Sequence, residues 1–523
     1  MKRISGTCFI LLSLTMMTSA VFARESVVLV LDFRNDGEKR YNYYGPGIAK
    51  TIGNDLACMK TVTVITPEAR RLALEEIGLS QSGILKEEIK TGTILGANYI
   101  CTGHYELTKS GMKVTAEFFE IDTQSLVESF MLECTTEQFP DRKNQIAFHL
   151  VELLRKKGIA LRGSKESAFD SSGKTNSNNS QAFEYYCMGL GMQHSDPVTA
   201  MEYFRKAVNA DGTYIDALLE MARICNDPLS RYDEALMYVT RAESVLQERN
   251  ETQSLAYAKM MEIKSSIFTN LSKLDNSLES CKAGMAVLTN IGMEGSFEHS
   301  ELLNDCGLVY RKMGNPDKAL ECYQRSLEIK DRLGLKKSIY YAISLSNISA
   351  AHLAKSETAA AMEYCLRAKA AKKELGLEKT RTYSISLANE GAILCAARDY
   401  DKALERFSDA RKILEKLDLT NTRDYANVLT NMGYVRSQCG EHAKAVSLYT
   451  DAQGIRKKIG LEKSGEYAAA CMDLANILHR NLDRSCDACT WVETGTRIKR
   501  EIGMEMNQPD LILIEELKLK CNR

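Results

Sequence analysis

The chain has 523 residues, 44% of them hydrophobic and 26% charged, with 7 prolines and a single Trp. That is too long for one compact core and fits a soluble, largely helical protein of two or more folding units. The formal charge is −1, and no cluster of Lys and Arg makes a basic face, so nothing points to a nucleic-acid partner.

Residues 1–23 have the pattern of a secretory leader. Lys2 and Arg3 form the charged start, Cys8 to Met17 the apolar stretch, and Val21-Phe22-Ala23 the small-residue cleavage site. Cleavage after Ala23 predicts a periplasmic or secreted protein. The apolar run is shorter than the ~20 residues a membrane span needs, and no later segment reads as a transmembrane helix.

Residues 25–160 predict an α/β domain with a mixed sheet. Val27 to Phe33 is a nearly continuous apolar strand, of the kind buried on both faces. A helix from Tyr44 to Met59 carries Ile48, Ile52, Leu56 and Met59 on one face, and the β-branched Thr61 to Thr66 follows as a strand. Pro67 opens a helix to Leu74. A helix from Ile84 to Leu95 leads into three strands, Tyr99 to Leu107, Met112 to Ile121 and Leu126 to Cys134, and an amphipathic helix from Gln145 to Lys157 closes the unit. VVLVLDFRND, YYGPGIAKTIGNDL and GANYICTGHYELTKSGMKVTAEFFEIDTQSLVES resemble the amino-terminal domain of TolB and exported proteins of the curli-secretion lipoprotein and flagellar outer-membrane type. The resemblance implies a non-enzymatic envelope domain that makes protein contacts. Residues 161–181, rich in Ser, Asn, Gly and charge, read as a flexible linker.

From Ala182 onward the chain reads as helical pairs, the first two units (Ala182 to Val208 and Asp216 to Val245) near 34 residues and those from about Ser254 lengthened to a fixed step of 42. Tyr257, His299, Tyr341, Tyr383, Tyr425 and Tyr467 keep it, as do Ala235, Ser277, Ala319, Ala361, Ala403 and Ala445, and also Gly292, Gly334, Gly376, Asp418 and Gly460. Such a period means one supersecondary unit copied and stacked. The unit Leu303 to Ile329 places Gly307, Tyr310, Gly314, Ala319, Tyr323 and Ser326 where tetratricopeptide repeats want small or aromatic residues, and the 42-residue units resemble those of kinesin light chain. The expectation is an all-α superhelix (an α-solenoid) of about eight units over 182–507, closed by a capping helix over 508–523. The last unit is irregular, its register slipping by one residue around Cys486 to Trp491.

Leu303, Leu345, Leu387 and Leu429 form the buried seam of each first helix, with the repeated Tyr four residues earlier on the same face as a packing residue. Two positions on from the seam stands a polar ladder, Asp305, Asn347, Asn389, Asn431 and Asp473, which a turn of ~200° directs away from the core. The repeat resemblance places first helices along a concave groove, where such a ladder can pair with the backbone of a protein or peptide segment. The alternative is that these side chains satisfy one another or nearby backbone. Lys312 at one end and Tyr434, Gln438, Asn476 and Arg480 at the other complete the candidate groove, the two cations as contacts for acidic groups.

Signals for catalysis, metal binding or a cofactor are missing from the sequence pattern: the 7 histidines are scattered and no HExxH, GxSxG or phosphate-binding Gly-rich loop occurs. Of 16 cysteines, most read as buried thiols in helical cores. Cys486 and Cys489 make the one CxxC, a candidate redox pair. The leading reading is an exported, non-enzymatic adaptor in an envelope-associated complex. Beside it stand an envelope scaffold that oligomerises through the α/β domain and a redox-responsive sensor.

Overall fold

The computed structural model describes residues 26–58, 62–65, 85–108, 111–157, 177–193, 195–227, 229, 231–502 and 504–521. The predicted leader, the Pro67–Leu74 helix and most of the predicted linker lie outside them.

A mixed sheet opens the chain. Its order is β3-β1-β4-β5-β6, with β1 at Val27–Val30, β3 at Thr63–Ile65, β4 at Tyr99–Thr108, β5 at Gly111–Glu120 and β6 at Ser125–Cys134; the short β2 (Arg34–Asn35) pairs with β4. Strands β1, β2, β3 and β4 pair in parallel, and β4-β5-β6 form an antiparallel meander. The opening strand is shorter than its apolar run. Leu31 makes one more bond to Cys101, then the Phe33 N–H turns to the Gly45 carbonyl. All four β1 residues are buried, because Val28 and Val30 join one core while Val27 and Leu29 join another. Helices α1 (Tyr44–Cys58), α2 (Leu85–Leu95), α3 (Phe139–Arg142) and α4 (Asn144–Lys156) complete this part.

Helical pairs follow, eight among the described residues: α5 (Ser180–Met192) with α6 (Pro197–Ala210), α7 (Ile215–Asn226) with α8 (Tyr232–Glu248), α9 (Leu255–Asn270) with α10 (Leu274–Asn290), α11 (Phe297–Lys312) with α12 (Pro316–Arg332), α13 (Ile339–Ala354) with α14 (Thr358–Glu374), α15 (Arg381–Ala396) with α16 (Tyr400–Lys416), α17 (Arg423–Gln438) with α18 (His442–Lys458), and α19 (Gly465–Arg480) with α20 (Ser485–Glu501). A last helix, α21 (Gln508–Cys521), buries Leu513 and Leu517 against the final pair. Ser180 and Gln181, read as linker, instead form the first turn of α5, because the Asn179 side chain accepts a bond from the Ala182 N–H.

The 42-residue step has a local cause at each end of the hairpins. Asn250, Gly292, Gly334, Gly376, Asp418 and Gly460 all adopt positive φ, between 57° and 78°, the left-handed turn that ends a helix and is easiest for glycine. Four residues later in each case come Ser254, Ser296, Ser338, Thr380, Thr422 and Ser464. Each accepts, through its side-chain oxygen, the N–H of the repeated Tyr or His three positions on. The slipped register of the last unit is visible too: the inter-helix turn has positive φ at Ser272, Ser356, Arg398 and Gly440, but at Asp483 one position late.

The first helices of successive repeats touch one another and form the inner wall of the superhelix. The α/β part does not swing free of that wall. Helix α1 lies along the first helices of repeats 1, 2 and 3. A Cβ on Gly47 would stand 2.1 Å from Cys187 Sγ. Tyr43 donates to Glu184 at 2.7 Å, Lys50 pairs with Glu220 at 2.5 Å, Asn54 donates to Asp216 at 3.3 Å, and Lys259 donates to Asn54 at 3.0 Å. The opposite sheet face seals against the junction of repeats 4 and 5, where Val27, Leu29, Ile94, Leu95, Ile100 and Ile121 share a core with Phe297, Leu335, Ile339 and Tyr340.

Candidate functional site

The inner wall is thereby divided. Its first part carries the α/β domain; the predicted ladder begins on α11 and runs over α13, α15, α17 and α19, and its residues differ sharply along it. Asp305 is crowded: burial, with Glu262 and Glu301 nearby and only Lys330 opposing, holds its carboxyl well above the usual range. It stands in an acidic corner with Glu262 and Glu301 rather than at the open end of a peptide ladder. Asn347 is already engaged, donating to Asn304 Oδ1 at 2.8 Å. Here the alternative reading, amides satisfying one another, is what the geometry shows.

Asn389 and Asn431 are different. Both are half-buried on the wall, and neither makes a hydrogen bond to another described residue. Seam residues Leu345, Leu387 and Leu429 are buried at 3%, 5% and 4% exposure, so the amides stand on the far side of their helices from the core. Small neighbours Ala350, Ala354, Ala392 and Ala396 are half-buried or exposed, which leaves room above them. Asp473 is exposed at the residue surface yet set among protein atoms in a concave wall; burial, with Asp510 adding and Lys499 opposing, pushes its carboxyl up to about 6.

Tyr434 is 45% exposed and Gln438 is exposed beside it, with Asn476 half-buried. Lys312 is exposed; burial lowers its pKa, Glu466 raises it, and Arg423 and Arg311 add to the lowering. Arg480 is not available as expected: it holds Glu516 of the capping helix through bonds of 3.0 and 3.1 Å. The CxxC is likewise not a pair. Cys489 is disulfide-bonded, whereas Cys486 is a free, exposed thiol.

Of the repeated tyrosines, Tyr257, Tyr341 and Tyr383 are half-buried and the last two are buried. Tyr425 and Tyr467 are each 8% exposed, and the Tyr425 hydroxyl donates to Glu415 at 2.9 Å. Gly307 does mark a close approach: a Cβ there would meet the Tyr323 ring at 2.6 Å. Sequence reasoning missed a ladder of buried cations at the ends of the second helices: Lys330, Lys372, Arg456 and, after the slip, Lys499, each 3% exposed or less. Lys330 pairs with Glu301 at 2.8 Å and donates to Ser344 at 2.8 Å, Lys372 donates to Ser386 and the Thr382 carbonyl, Arg456 reaches Asn427, and Lys499 pairs with Asp510. The signal was present as a further 42-residue register, interrupted by Leu414, but a Lys on a helical repeat reads first as a solvated charge.

Among the described residues no group of three or more His, Cys, Asp or Glu side chains is placed to hold a metal ion, and no helix is long and apolar enough to cross a membrane. Residues 298–374 and 381–458 match the tetratricopeptide repeat model. No curated protein matches the chain. Among solved structures, it is similar to BtubC (BKLC) from P. vanneervenii (18% identity, 44% of this chain and 92% of that one, TM-score 0.37). It is also similar to a tetratricopeptide repeat protein from Parabacteroides merdae ATCC 43184 (16% identity, 54% and 98%, TM-score 0.39) and to a Rap protein complexed with Competence and Sporulation Factor (11% identity, 70% and 95%, TM-score 0.48). The matched stretches span the pairs α11/α12 to α17/α18, and the same hairpins continue on both sides of them: the helical region of this chain is a solenoid of tetratricopeptide repeats.

Proposed function

We propose that this chain is a non-enzymatic interaction adaptor that holds an extended protein segment along the open stretch of its inner wall, over repeats 5 to 8. The observation that carries the reading is the contrast within one ladder. Asn347 is satisfied by Asn304, while Asn389 and Asn431 present amide groups with no protein partner among the described residues. A half-buried carboxamide offers one acceptor and two donors, which suits the N–H and C=O of an extended backbone. Leaving such groups unpaired has a cost that a guest chain would relieve. Tyr434 adds a rigid, partly exposed aromatic surface of the kind that anchors interfaces.

Export to the periplasm or beyond, and a role for the TolB-like domain in an envelope-associated complex, belong to the same proposal and rest on the sequence pattern. Panning a random-peptide display library on the full chain tests the groove. Asn389→Ala with Asn431→Ala should weaken capture of the selected peptides by roughly tenfold or more and leave the melting curve unchanged. Asn347→Ala should leave capture intact. If the double variant binds like the wild type, the groove reading fails.

A further inference from the structure

We propose that the outer edge of β6 is a self-association surface, on which a second copy of this chain lays its own β6 antiparallel about a two-fold axis at Phe130. Strand β6 ends the sheet and is 10 residues long, SLVESFMLEC; no described strand pairs with its outer side. A free edge displays a row of unpaired N–H and C=O groups, which proteins blunt with Lys, Pro, bulges or short strands. β6 contains neither Lys nor Pro, and its one irregularity, opposite Phe118 and Phe119, lies near its start. Glu128 to Leu132 is a regular template, beyond which the Glu133 carbonyl is taken by the Arg142 side chain.

One observed bond sets the register. Arg142 donates to the Glu133 carbonyl at 2.9 Å, so the backbone of Glu133 faces outward. Backbone groups alternate sides along an antiparallel strand, so Met131 and Ser129 also face outward, while Phe130 and Leu132 bond inward to β5. Pairing about Phe130 then sets Ser129 opposite Met131 of the second copy, exchanging N–H···O bonds. Phe130 meets its own counterpart in the closer, non-hydrogen-bonded kind of pair. Its ring is already held in place by stacking on His149, centroids 4.4 Å apart.

The charge pattern admits this partner. The two carboxylates of β6, Glu128 and Glu133, fall opposite Leu132 and Val127 of the other copy, so no like charges meet. Leu126 and Met131, 50% and 51% exposed, stand on the sheet face away from α4, and a continued sheet would cover them. A strand pair with its flanks is a small interface, so association belongs in the micromolar range.

Light scattering on the full chain, with concentration raised through that range, should give twice 58.5 kDa. Met131→Lys should weaken association by roughly tenfold or more, as should Ser129→Pro, which removes an outward N–H; both should keep the wild-type melting curve. Phe130→Cys should yield an intermolecular disulfide under mild oxidation. Should Ser129→Pro fail to fold, Met131→Lys at an exposed site still decides the matter. Wild-type protein that stays monomeric at every soluble concentration overturns the proposal, as does a dimer that Met131→Lys leaves intact.

Discussion

Asp55 sits where α1 meets the repeats, fully enclosed, and one of its oxygens has no hydrogen-bond partner. Burial raises its pKa from 3.8 to about 6, with Lys143 opposing and Asp216 adding. The folded chain therefore binds more protons than the unfolded chain between those values, so stability falls as pH rises through the window and is greatest below it. The shift corresponds to at most about 3 kcal/mol. Asp216, Glu262 and Asp305 are displaced in the same direction, burial being the first cause in each. Melting temperature should accordingly rise from pH 7 to pH 4.5, and Asp55→Asn should raise it at pH 7 and flatten part of the slope. A melting temperature that falls on acidification over that range would contradict this account of the interface.

At the scale of the element, the start of each first helix from α9 to α19 is set by two features that repeat at the same step: a left-handed residue that ends the previous helix and a hydroxyl that starts the next. Thr422 shows both hydroxyl roles, its Oγ1 donating to the Leu419 carbonyl at 2.7 Å and accepting from the Tyr425 N–H at 3.3 Å. Thr422→Ala should cost about 1 kcal/mol, read as a lower urea midpoint, whereas Thr422→Ser should be close to neutral. Equal losses from both would mean that the methyl group, not the cap, matters.

Much of this was legible. The glycine ladder announced the turns, with Asn250 and Asp418 the members that carry a modest strain for a side chain at φ 57°. The hydroxyl ladder was equally regular but went unread, because Ser and Thr are common enough in turns to pass as background. The ladder at Asp305, Asn347, Asn389, Asn431 and Asp473 was found by spacing alone. Spacing says which helix face a residue takes, but not what the opposite wall brings. It did not foresee Asn304 at Asn347, Glu262 at Asp305, or Glu516 at Arg480, since each partner lies on another repeat or on the capping helix.

For the whole molecule, the docking of the α/β part on the inner wall is the feature no local pattern predicts. It depends on long-range pairs such as Lys50 with Glu220 and on Gly96, where a Cβ would press on Leu335 at 2.9 Å. A buried ion pair of this kind sets register more than it adds stability, and the apolar seal at Leu335, Ile339 and Tyr340 supplies the burial. The first repeats thus hold the chain's own domain, while the later ones keep Asn389 and Asn431 on the inner wall with no hydrogen-bond partner among the described residues.

Site-specific photo-crosslinking on the full chain separates those two halves most directly. With the photoreactive side chain at position 259, beside Asn54, only an intramolecular crosslink to α1 should form. With it at position 434, intermolecular adducts should form with the display-selected peptides and disappear in the Asn389→Ala, Asn431→Ala variant. Adducts at 259 and none at 434 would contradict the account.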